Sequence, residues 1–165
     1  MKYFTYSEML KSDTALKNKL WNGAPKEAEE NLRALVDEVL DPLREAYGKP
    51  VRVNSGYRCP QLNRLVGGSL NSQHMRGEAA DIQPVIGNES DLDELARILI
   101  ANGKFDQLIL YPTFIHVSHK RFGWNRLQVL QKNTEMRSIR RSQFGMQNSE
   151  CRIRNAEFGN AKHST

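Results

Sequence analysis

Apolar residues recur at Leu32, Leu35, Val36, Val39, Leu40 and Leu43. Steps of three and four place all six on one stripe of an amphipathic helix, predicted from about Pro25 to Tyr47 and closed by Gly48 and Pro50. At roughly 1.5 to 3 kcal/mol per fully buried side chain, this stripe can anchor a domain without a disulfide or structural metal. Before it, FTYSEMLKSDTALKN alternates short helical signals with polar breakers. Ser7 is a candidate cap for one turn and Ser12 or Asp13 for a second, so the segment reads as a lid or platform. After it, alternating Val51 and Val53 predict a short strand in VRVNSGYR, and CPQLNRLVGG a helix begun near Pro60 and stopped by Gly67-Gly68. AADIQPV reads as a strand, ESDLDELARILIANG as a capped helix ending at Gly103, and FDQLILYPTFIHVSH as two strands joined across Pro112-Thr113. The sum is an α+β fold, a small antiparallel sheet packed against helices.

The 165 residues suit about one domain. Hydrophobic residues at 39% and charged residues at 26% match a soluble globular chain, not a fibrous or disulfide-dense one. No run approaches the ~18 apolar residues of a membrane span, and MKYFTYSEMLKSD lacks the features of a secretory signal. Synthesis in a cytoplasm is expected, with no membrane partner. Cys59 and Cys151 are far apart and outside any Cys-x-x-Cys pattern, so both are expected as free thiols. The net charge of +5 is unevenly placed: residues 1–131 hold 17 Lys and Arg against 16 Asp and Glu, while residues 132–165 hold 7 against 3. The chain therefore divides into a domain over 1–131 and a basic low-complexity tail over 132–165, whose SQFGMQN, SECRIRN and AEFGNAK units lack the apolar seam of a coiled coil. Without clustered aromatics or a reading helix, the tail gives no case for a specific nucleic-acid partner.

Chemistry concentrates in SLNSQHMRGEAADI, where Asp81 follows His74 by seven positions across a segment containing Gly77, Ala79 and Ala80. Glycine permits a tight backbone and the alanines add little bulk, so the chain can fold back and aim both side chains at one point. His116 lies mid-strand in FIHVSH, with Phe114 and Ser118 on its face and Ile115 and Val117 on the other. Two histidines and a carboxylate suit a catalytic zinc, which keeps a fourth position open for water and lowers the water pKa from 15.7 to about 7.

The stretch SGYRCPQLNRLVGGSLNSQHMRGEAADI, with the later strand histidine, resembles the zinc D-Ala-D-Ala carboxypeptidase family. That family's fold is shared with vancomycin-resistance D,D-dipeptidases, phage endolysins, murein endopeptidases and the hedgehog signalling domain. The resemblance rests on Ser55 to Arg58, Asn63, Gly67-Gly68, Ser72, His74, Gly77, Ala79, Asp81 and His116. It covers about residues 4 to 130, is nearest the small phage or prophage branch, and excludes the tail. It implies a zinc peptidase, with one Zn2+ per chain on His74, Asp81 and His116, acting on peptidoglycan stem peptides or cross-links. By the same resemblance, Arg58 is a catalytic and substrate-binding residue that steadies a developing oxyanion or holds a substrate carboxylate, and Ser72 contacts substrate or orients its loop.

One position departs from the family pattern. Well-known members carry an acid three residues before the second zinc histidine, as general base, whereas this chain has Thr113. His119, Asp106 and Glu78 are the candidate replacements; histidine as a residue type suits proton transfer near neutral pH, but alternation aims His119 away from His116. The competing expectation is a zinc-containing cell-wall binding module with little or no hydrolysis. A monomer is expected, meeting murein after lysis or holin-type release.

Overall fold

The computed structural model describes residues 1–132. Cys151 and the expected tail beyond Lys132 lie outside the described residues. Among the described residues no helix is long and apolar enough to cross a membrane, and Cys59 is a free thiol.

Two five-residue helices open the chain, α1 (Tyr6–Leu10) and α2 (Asp13–Lys17). Thr5, not Ser7, caps α1: its hydroxyl accepts from the Glu8 N–H and the Glu8 carboxylate accepts from the Thr5 N–H, a reciprocal capping box. Ser12 caps α2. The pair forms a platform. The Met9 carbonyl accepts from the Tyr57 N–H at 2.8 Å, and Asn22 accepts from the Cys59 N–H while donating to the Leu10 and Tyr57 carbonyls.

The long apolar stripe forms α3 (Lys26–Leu35), a π-helical stretch (Val36–Leu40) and α4 (Asp41–Tyr47). Leu32, Leu35, Val36, Val39, Leu40 and Leu43 are all at most 1% exposed. The widened turn ends two residues before Pro42, whose nitrogen carries no hydrogen and whose ring crowds the carbonyl four residues back. That carbonyl belongs to Glu38 and accepts instead from Asn102 Nδ2 at 3.2 Å. Gly48 then closes α4 at φ 72°.

Strands β1 (Val51–Ser55), β2 (Ala79–Pro84), β3 (Gln107–Leu110), β4 (Ile115–Ser118) and β5 (Gln128–Gln131) form one sheet in the order β1-β2-β4-β3-β5. Helix α5 (Pro60–Leu65) follows β1, and α6 (Glu89–Asn102) connects β2 to β3. The inner pairs are antiparallel, with Asp81 opposite His116 in the β2–β4 register. The antiparallel expectation needs one correction: β5 lies parallel to β3 at the edge. Its four residues follow Leu127 at φ 51° and show no clean inside–outside alternation, so they carried little periodic signal. The core lies between the helices and one sheet face, and Leu95 and Leu99 of α6 and Ile82, Leu108, Ile115 and Val117 of the strands are each at most 1% exposed.

Candidate metal centre

The sheet register creates the site. Asp81 and His116 are neighbours across β2 and β4, while His74 comes from a 3₁₀ turn (Gln73–Arg76) directly before β2. Gly77 closes that turn at φ 71°, and a Cβ there would collide with the Ala28 carbonyl of α3. Asn31 of α3 donates to the Arg76 carbonyl at 2.9 Å, so the core helix braces the histidine turn. The Arg58 N–H donates to the His74 carbonyl at 3.2 Å and ties the motif's two halves together.

His74 is 3% exposed, and its Nδ1–H donates to the Gly56 carbonyl at 2.7 Å. A carbonyl only accepts, so the proton resides on Nδ1 and the Nε2 lone pair faces inward. Burial lowers the His74 pKa, against the opposing pull of Asp81, and keeps the ring neutral. His74 Nε2 lies 3.2 Å from His116 Nδ1 and 3.3 Å from Asp81 Oδ1, and the third edge, His116 Nδ1 to Asp81 Oδ1, is 2.9 Å. Burial pushes the Asp81 pKa upward, but the adjoining His116 and His74 imidazoles outweigh it and hold the carboxyl well below its usual range.

Three electron-rich atoms thus share one small triangle. Tetrahedral zinc at bond lengths of about 2.0 to 2.2 Å separates its ligands by roughly 3.3 to 3.5 Å. The nitrogen, nitrogen and oxygen donors fit that face, and their mutual lone-pair repulsion is what a divalent cation relieves. His74, Asp81 and His116 are together the His, Cys, Asp or Glu group among the described residues whose donor atoms converge enough to hold a metal. Asp81 divides its oxygens: Oδ1 faces the histidines, while Oδ2 accepts from Arg58 Nη2 at 2.5 Å. Arg58 Nε donates to Ser55 Oγ at 2.7 Å, which fixes the guanidinium beside the triangle.

The three residues border an open cavity of about 740 Å³, also lined by Arg58 and Ser72. The structure separates the proposed bases from this group. Asp106 is fully buried and outside the cavity lining, with both oxygens taken by Arg126, Lys120 and Gln73. Burial raises its pKa, but the hydrogen bonds from Arg126 and Lys120 prevail and bring it to about 2. A base that weak is poorly matched to neutral-pH proton transfer. His119 is 7% exposed and also off the lining; its Nδ1–H donates to the Lys104 carbonyl at 2.6 Å. The Glu78 carboxylate accepts from Arg76 Nε at 2.9 Å. Sequence reasoning missed Gln73, Arg76, Tyr111, Phe114, Lys120 and Arg126, which also line the cavity. The basic run in HKRFGWNR was the available signal for the last two.

A family model described as Peptidase M15 matches residues 2–118. The zinc D-Ala-D-Ala carboxypeptidase of Streptomyces albus G is 40% identical over 82 residues, covering 48% of this chain and 30% of the relative's own length.

Proposed function

The chain belongs to the Peptidase M15 family, and from that premise we propose that it is a zinc-dependent peptidase hydrolysing peptide bonds in peptidoglycan stem peptides or cross-links. The convergence of His74 Nε2, His116 Nδ1 and Asp81 Oδ1 with edges of 2.9 to 3.3 Å beside an open cavity carries this reading. These three residues hold one zinc per chain. Bound zinc supplies a Lewis acid at which water ionises near neutral pH.

The protein's own groups do the positioning. Gly56 fixes the His74 tautomer, and Arg58 orients Asp81 through Oδ2. With Nη2 on Asp81 and Nε on Ser55, Arg58 keeps fixed positive charge beside the reacting carbonyl, where oxyanion charge develops. Ser72, at the entry to the histidine turn, contacts substrate from the cavity wall.

Elemental analysis should find about one zinc per chain, and a chelator should stop the release of new amino groups from murein; undiminished release with chelator refutes the mechanism. Mass spectrometry of the digested muropeptides assigns the bond. One observation favours a second reading, a zinc-containing wall-binding module: among the described cavity-lining residues the single carboxylate is Asp81, and Thr113 occupies the relatives' acid position. Murein retention with bound zinc but no new amino groups would select it.

A further inference from the structure

The cavity wall carries more fixed positive charge than the donor triangle uses. Arg58 is paired with Asp81, and Arg76 with Glu78. Lys120 and Arg126 line the same cavity and converge on one acid: Lys120 Nζ lies 3.1 Å from Asp106 Oδ1, and Arg126 Nη2 lies 2.6 Å from Asp106 Oδ2. One carboxylate balances one of two cations, so the cluster keeps a positive charge in excess. Asp106 is fully buried, whereas the Lys120 and Arg126 side chains are 32% and 49% exposed.

The cluster is built rigidly. Asp106 also accepts from the Arg126 backbone N–H at 3.0 Å, which fixes the loop's path, and from Gln73 Nε2 at 3.1 Å, beside His74. Arg126 places both Nε and Nη2 on Asp106, acting as the brace, while Lys120 is the compact charge left toward the cavity. Fixed cations in a polar concavity favour an anionic ligand because no reorganisation is required on binding. Both residues lie past the 2–118 stretch matched by the family model, so membership assigns them no role.

We propose that Lys120, braced with Arg126 on Asp106, forms a carboxylate-binding subsite, so the preferred ligand is a peptide carrying a free carboxylate apart from the bond offered to the metal centre. The peptide class rests on the peptidase reading.

The test measures calorimetric binding to the full chain, with and without zinc, of three peptides. These are Ala-γ-D-Glu-Lys-D-Ala-D-Ala, its D-isoglutamine analogue, which lacks the internal free carboxylate, and its C-terminal amide. One amide should bind about fivefold more weakly than the parent. Lys120→Met should bring acid and amide peptides to equal affinity, and Lys120→Arg should restore the difference, which a merely structural lysine would not do. Equal binding or no binding of all three peptides, or discrimination surviving in K120M, overturns the subsite. Failure of the peptidase reading appears separately, as no zinc at the triangle and no cleavage of the parent peptide.

Discussion

The α3–α4 stripe and the histidine turn sit against each other through Gly77 and Ala28, yet they are stabilised in opposite ways. Along the stripe, each leucine gains by leaving water and any neighbour of suitable shape will serve. In the turn, each polar group is held by one particular partner: Gly56 for His74, Arg58 for Asp81, Asn31 for the Arg76 carbonyl. The first region therefore supplies stability with loose chemical specification, and the second supplies specification at a cost in stability, since it packs three acceptors together. Perturbing one should leave the signature of the other intact.

The largest effect is expected from His116→Ala. Turnover of murein peptides should fall by roughly a thousandfold or more, because the Lewis acid is worth several kcal/mol. The unfolding midpoint of the metal-free variant should move little, and a large fall would show that the triangle is a folding element. Next, Leu40→Ala removes a side chain that is 0% exposed and should cost about 2 to 5 kcal/mol in urea unfolding, while the folded variant still takes up one zinc. Lost stoichiometry in folded L40A would couple the two regions.

Acid should separate them further. The Asp106 pKa is about 2 in the fold against an ordinary 3.8, so the stability it contributes is present above roughly pH 4 and is lost as pH falls toward 2. Urea unfolding between pH 5 and pH 2.5 should show a shallower decline for Asp106→Asn than for the unaltered chain. The smallest effect is expected from Thr5→Ala, which removes one partner of the capping box and should cost about 1 kcal/mol without altering zinc uptake.

The same division explains what could be read in advance. Six stripe residues announced their helix because burial imposes a period, though the widened turn at Val36–Leu40 stayed hidden: Pro42 disrupts one bond, and only the fold reveals that Asn102 replaces it. The approach of His74 to Asp81 was expected from the segment that joins them, with His116 added as a third candidate, while the placing of Asp81 opposite His116 depends on a β2–β4 register that no local pattern states. Asp106 illustrates the converse. As an isolated acid before a strand it passed for a base, and what disqualified it were Arg126 and Lys120, 20 and 14 positions further on. The Thr5 cap was missed for a simpler reason, since Ser7 offers the same hydroxyl two positions later.

The parallel pairing of β5 with β3 has a practical outcome. A fragment stopped at Ser118 would keep every donor of the triangle, yet the backbone of Gln107–Leu110 would lose its outer neighbour and become an open template for another molecule. Such a fragment should self-associate in proportion to its concentration, so the shortest well-behaved piece that keeps the triangle must run through Gln131.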